Sequence, residues 1–226
     1  MFRPRPLFHD RAEAGRRLGD RLRSLVEDRP LVLALPRGGV VVGEAIAERL
    51  GAPLDVLLVR KIGAPLQPEL AIGAVVDAGR PVIVWNPDVM ESFSLSASQR
   101  DELVEREWDE IIRRREMYGV QHEDLDLTSR VVIVADDGVA TGATMRAALR
   151  GLRDAGVRRL VVAVPVGPLD TIRELDREVD GVACLETPEP FRAVGLAYRD
   201  FRQISDDEVI QALRRSGGER DPASTR

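Results

Sequence analysis

The chain has 226 residues and a mass of 25.0 kDa, enough for one sizeable core and short for two. Hydrophobic residues make up 44% and charged residues 31%, a balance that excludes a disordered or collagen-like chain. The net charge of -5 argues against a nucleic-acid binder, and no apolar run reaches the roughly 18 residues of a membrane span.

Arg3, Arg5 and Arg11 near the start precede no apolar stretch of signal-peptide length, so no secretory signal is expected. Cys184 is the single cysteine and can form neither an internal disulfide nor a cysteine metal cluster. A reducing, cytoplasmic setting is the expectation. Of the 33 cationic residues, 32 are arginine and one is Lys61, which singles out that lysine. His9 and His122 sit among charged residues and read as surface groups, which leaves little material for a Ser-His-Asp triad or a zinc site.

In chain order, Asp10 with Glu13 forms a capping pattern that opens a helix, continued by Leu18, Leu22, Leu25 and Val26. Leu31 to Leu35 is a short apolar run ending in Pro36-Arg37-Gly38-Gly39. Val42, Ile46 and Leu50 predict a second helix, stopped by Gly51. Leu54 to Val59 is another apolar run, cut by Arg60-Lys61. Residues 60–73 hold Gly63, Pro65, Pro68 and Gly73 and read as a long loop. Ala74 to Val76 and Val82 to Trp85 predict a small hairpin, and Gln99 to Tyr118 a charged amphipathic helix.

Val131 to Ala135 is the next buried strand, followed by a loop from Asp136 to Thr144. A helix with Met145, Ala148, Leu149 and Leu152 then runs to Gly156. Leu160 to Val164, a Leu169 to Val179 helix and Val182 to Leu185 complete the alternation. Apolar runs bounded by Gly or Pro suit buried parallel strands, so the expected fold is α/β, with a mainly parallel sheet flanked by helices. One domain over residues 1–214 is expected, with a frayed tail over 215–226.

Ligands of open α/β sheets bind beyond the carboxyl ends of the strands. Three such ends carry unusual residues here: Arg37-Gly38-Gly39, Arg60-Lys61, and Asp136-Asp137-Gly138-Val139-Ala140-Thr141-Gly142-Ala143-Thr144. Together they hold three cations, two carboxylates, two hydroxyls and four glycines, a mixture suited to a phosphorylated substrate carried with a metal ion. In the third loop, glycines and the following helix N-terminus can cradle a phosphate, with Thr141 and Thr144 adding hydroxyls. The lysine of a Walker loop is missing, and Gly38-Gly39 does not open a dinucleotide fingerprint. Asp136 and Asp137 are placed to accept from vicinal hydroxyls or to hold hydrated Mg²⁺. An Asp pair before Gly is by itself a common turn; the strand before it and the Thr-Gly-Ala-Thr after it favour a site.

Val131-Val-Ile-Val-Ala-Asp-Asp-Gly-Val-Ala-Thr-Gly-Ala-Thr144 resembles the phosphoribosyl pyrophosphate signature of type I phosphoribosyltransferases. Leu35-Pro36-Arg37-Gly38-Gly39 is similar to that family's pyrophosphate loop, which often carries a cis peptide. Val59-Arg60-Lys61 is similar to the Val-Arg-Lys at which adenine and orotate members enter their flexible loop. The three motifs stand in the family's order and span residues 10–205, with the closest likeness to bacterial stand-alone members.

The resemblance implies transfer of 5-phosphoribose from phosphoribosyl pyrophosphate to a nitrogen acceptor, a nucleobase of the salvage type, with release of pyrophosphate. It implies that Mg²⁺, Arg37, Gly38, Gly39, Arg60 and Lys61 hold the pyrophosphate, that Asp136 and Asp137 hold the ribose hydroxyls and the metal, and that Gly138 to Thr144 hold the 5-phosphate. The segment Ile62 to Gly73 would close over the site, with Glu69 as a candidate proton acceptor. Glu186 to Ile204 is similar to a C-terminal hood, in which Phe191 would stack on the acceptor. Ala140 departs from hypoxanthine-guanine members, which carry an acid there. A non-catalytic sensor of phosphoribosyl pyrophosphate or a nucleotide is the alternative, although no helix-turn-helix pattern accompanies it. Small-molecule partners, without nucleic acid or membrane, are expected, and a homodimer is left open.

Overall fold

Asp10 accepts a hydrogen bond from the Glu13 amide at 2.8 Å and so opens α1 (Arg11–Leu22). The structure, a computed structural model, describes residues 6–26, 30–120, 127 and 130–216. His122 and residues 217–226 of the expected tail lie outside the described residues. After α1 come β1 (Leu31–Ala34), α2 (Gly38–Leu50) and β2 (Leu54–Val56). A run of strands follows: β3 (Val59–Ala64), β4 (Gln67–Asp77) and β5 (Pro81–Trp85). Next are the short α3 (Pro87–Met90) and the long α4 (Ala97–Tyr118), which a Ser96–Gln99 capping box begins. The rest is β6 (Val131–Ala135), α5 (Ala143–Asp154), β7 (Arg159–Val166), α6 (Leu169–Asp176), β8 (Gly181–Glu186), a 3₁₀ turn at Val194–Ala197, and α7 (Asp206–Ser216).

Five strands pair in the order β2-β1-β6-β7-β8, every pair parallel. Their side chains alternate between two apolar layers, as a pleated strand buried on both faces requires. Val32, Ala34, Ile133, Ala135, Val161 and Ala163 join Leu18, Leu22, Val42, Ile46 and Val209 on the α1, α2 and α7 side. Leu31, Leu33, Val132, Val134, Val162 and Val164 join Met145, Leu149, Leu152 and Leu175 on the α5 and α6 side. The expected α/β fold with a mainly parallel sheet flanked by helices is the fold observed. Among the described residues, no helix is long and apolar enough to cross a membrane.

Several boundaries differ from expectation. The run Leu54 to Val59, in which Asp55 is a buried polar residue, is two strands, because the chain leaves the parallel sheet after Val56 and enters β3. Residues 60–73 are no loop: β3 and β4 pair antiparallel from Val59↔Val76 to Ala64↔Gln67, with Leu66 at the turn in a left-handed conformation (φ 66°). The hairpin expected at 74–85 is the β4–β5 half of this second, three-stranded sheet. The first helix ends at Leu22, before Leu25 and Val26, and α6 stops at Asp176 rather than Val179. Tail expectations beginning at Arg215 are also corrected, since α7 runs through Ser216 and packs Val209 and Ala212 into the core.

Candidate active site

The carboxyl ends of the adjacent strands β1 and β6 bring two loops together. The first crosses a cis peptide between Pro36 and Arg37 and starts α2 at Gly38. Gly38 is required by proximity: a Cβ there would stand 1.9 Å from Asp137 Oδ2. At Gly39 a Cβ would lie 2.9 Å from both the Ala135 carbonyl oxygen and Asp136 Cα. Only bare backbone lets the N-terminus of α2 approach the acid pair so closely.

Asp136 Oδ1 accepts from the Asp137 amide at 2.8 Å. Burial, and then the neighbouring Asp137 charge, push the Asp136 carboxyl well above the ordinary carboxylate range. Burial raises the Asp137 carboxyl too, opposed by Arg11, whose Nε donates to Asp137 Oδ2 at 2.7 Å. Two half-buried acids at a strand end are costly alone, so the pair is built to meet donors or a cation.

Beyond the acids the loop opens into a cradle. Gly142 takes a left-handed conformation (φ 72°) and caps α5 without a side-chain bond, so the first amides of that helix have no side-chain cap. Ala140, Thr141, Ala143 and Thr144 are exposed around it, while Val139 is buried. Thr171 of α6 donates to the Ala140 carbonyl at 3.0 Å and Arg146 to the Thr141 carbonyl at 2.5 Å, which braces the loop from behind. Open amides at the start of a helix form a phosphate site.

The sequence-derived cations part company. Arg37 is half-buried, with Nη1 3.9 Å from Asp206 Oδ2 of α7. Arg60 turns to α4 and pairs with the buried Glu107 at 3.0 Å. Lys61 is exposed and lines a cleft of about 590 Å³ with Trp85, Asn86, Thr144, Arg146 and Arg150. Thr144 also lines a small recess with Pro36, Arg60 and Arg114, a cation that the helical pattern of α4 did not single out. Glu69 is exposed on the outer part of the hairpin and makes no hydrogen bond to the acid pair.

The expected hood residues lie over the acid loop. Tyr198 is buried and donates its hydroxyl hydrogen to the Asp137 carbonyl at 2.5 Å, and burial pushes its phenol well up. Phe201 stacks on Tyr198 at 5.1 Å between ring centroids, and the Arg11 guanidinium lies 3.8 Å from the Phe201 centroid. Phe191 is half-buried and packs against the cluster of Phe8, Ala14, Val166, Ala197 and Tyr198. Arg11 escaped the sequence reading because one arginine among 32 carries no local signal.

The model of the phosphoribosyl transferase domain family matches residues 10–199. The chain belongs to that family. Two curated relatives, each named "putative phosphoribosyl transferase" and from Mycobacterium tuberculosis strains CDC 1551 / Oshkosh and H37Rv, are 46% identical over 210 residues. The match takes in 93% of this chain but only 47% of each relative, so the phosphoribosyl transferase domain spans about half their length. A crystal structure of TT1426 from Thermus thermophilus superposes with a TM-score of 0.79 at 41% identity, over 91% of this chain and 97% of that one. The loops after β1 and β6 both lie inside the matched span of the phosphoribosyl transferase domain.

Proposed function

We propose that the domain transfers the 5-phosphoribosyl group of phosphoribosyl pyrophosphate to a nitrogen acceptor, a nucleobase being the class that fits best. The bond from ribose C1 to the pyrophosphate oxygen breaks, a C1–N bond forms, and the acceptor nitrogen gives up a proton. Positive charge grows on the ribose while negative charge gathers on the pyrophosphate. Preorganised groups aimed at those charges supply the rate.

The observation that carries this reading is the acid pair set between two open helix N-termini, α2 behind Arg37 and α5 beyond Gly142. In it, the cradle from Gly138 to Thr144 takes the 5-phosphate, and Asp136 and Asp137 take the ribose hydroxyls. Arg37, Lys61 and the amides of Gly38 and Gly39 take the pyrophosphate, while Arg60, held by Glu107, faces the donor only at the recess it shares with Thr144. Phe191 is the proposed stacking face for the acceptor, and Glu69 comes near the acceptor only if the hairpin closes.

A divalent cation fits this donor set. Among the described residues no cluster of three or more His, Cys, Asp or Glu stands ready to hold a metal. The ion would therefore take most of its oxygens from pyrophosphate and water, as Mg²⁺ does, with Asp136 and Asp137 holding that hydration shell. Its charge would offset the repulsion between the two acids and the charge on the leaving group.

Pyrophosphate release, followed with labelled phosphoribosyl pyrophosphate across a panel of nucleobases and amines, tests the proposal. Turnover with one acceptor class is the expected result. Tight binding of the donor without turnover on any acceptor would make the domain a sensor.

A further inference from the structure

Resting on the reading above, we infer that Arg11 is a positioning residue for Asp137, turning the hood and the first helix into a clamp on one carboxylate. Three segments distant in sequence meet at this side chain. Its Nε donates to Asp137 Oδ2 at 2.7 Å, and its Nη1 donates to the Arg202 carbonyl at 2.9 Å. Its plane lies against Phe201 at 3.8 Å, and Nε is 3.1 Å from where a Gly38 Cβ would stand. Tyr198 completes the hold by donating to the Asp137 carbonyl.

The arrangement exceeds what packing needs. The Arg11 side chain is only 8% exposed, and a buried guanidinium is costly unless its donors and charge are met. Here the charge is met by the acid whose other oxygen remains for a ligand. With Oδ2 held by Arg11 and the main chain held by Tyr198, Oδ1 is left as the acceptor for a ribose hydroxyl. A planar, always-charged fork suits this task, and lysine can supply the charge without the stacking or the second donor.

The test compares the wild-type domain with Arg11→Met, Arg11→Lys and Tyr198→Phe. Calorimetry measures Mg²⁺–phosphoribosyl pyrophosphate affinity, and phosphorus NMR measures inorganic phosphate, used as the probe of the Gly138–Thr144 cradle. Loss of a charge-assisted hydrogen bond predicts donor affinity weaker by about tenfold or more in Arg11→Met, and by roughly threefold in Arg11→Lys and Tyr198→Phe. Phosphate affinity should stay within about twofold in all three, because that cradle is braced by Thr171 and Arg146 instead. Should Arg11→Met fail to fold, the two conservative variants decide. Unchanged donor affinity in the variants overturns the clamp alone. Equal loss of donor and phosphate affinity also overturns it, since a merely structural residue would give that. A wild-type domain that binds no phosphoribosyl pyrophosphate overturns the clamp and the proposed function together.

Discussion

Arg60 and Lys61 are neighbours in β3 yet serve opposite faces of the antiparallel sheet: Arg60 reaches Glu107 of α4, and Lys61 lines the cleft beside α5. Alternation along a strand imposes this division. Glu107 is only 8% exposed at its side chain and keeps Arg106 as a second partner at 3.0 Å. Arg60→Ala should therefore cost about 1–2 kcal/mol of stability, read in a urea titration. Lys61→Ala should leave stability within about 0.5 kcal/mol while weakening pyrophosphate binding and turnover, with Lys61→Arg falling in between. Equal activity of all three forms at position 61 would make that lysine a solvated strand residue.

Replacing both acids, Asp136→Asn with Asp137→Asn, should abolish Mg²⁺-dependent binding of phosphoribosyl pyrophosphate and leave the circular dichroism spectrum intact. The acids stand at the sheet's end, between bare glycine backbone and the cradle, so the apolar layers keep the fold, although Arg11 loses its charge partner and the melting temperature falls. Calorimetry on the folded double variant checks this. Unchanged affinity would remove the acids from the ligand.

The loops after β1 and β6 were legible in the sequence because each follows an unbroken apolar run, Leu31 to Leu35 and Val131 to Ala135, that ends abruptly in Pro36-Arg37 or Asp136-Asp137. The β3–β4 hairpin was not, since Pro65 and Pro68 suggested a loop. Both prolines fall at its turn end, where few ladder bonds are lost. Helix α7 hid beside a polar tail: its first turn is Asp206, Asp207 and Glu208, which reads as solvated chain until Val209 and Ala212 are seen in the core. Arg37 was expected to be a site cation, but its tie to Asp206 was not legible, because that contact joins segments far apart in sequence.

Phe191 tests the acceptor pocket. Its ring packs against the Phe8 and Tyr198 cluster, so alanine would open a cavity and blur the result. Phe191→Leu keeps most of the volume and removes the π-face. A higher Michaelis constant for the acceptor is expected, with donor affinity nearly unchanged. If the melting temperature falls sharply and both constants rise, the ring belongs to the hood's core.

Asp180 links the start of β7 to the end of α5, accepting from the Leu160 amide at 2.7 Å and from Arg153 at 2.6 Å. Partial burial alone would raise its carboxyl, but those two donors outweigh burial and hold it below the ordinary carboxylate value. Its stabilisation is thus complete above that ordinary value and is lost as pH falls through the lower, folded one. Asp180→Asn should lower the melting temperature near neutrality, and the gap should close in acid. With the carboxylate 39% exposed, water screens the pair, and a fall of only about 2 °C is expected by calorimetry.

The pairing of β1 with β6 sets Val32 beside Ile133, partners separated by about one hundred residues of chain. A nascent polypeptide emerging from the ribosome presents Arg37, Gly38 and Lys61 long before either acid has been translated. Until β6 arrives, β1 has one edge without its parallel neighbour, and no anion-binding mouth exists for a metabolite to occupy. On the proposed function, ligand capture is therefore coupled to a long-range step of maturation, and a chain terminated before β6 would be silent rather than partly active.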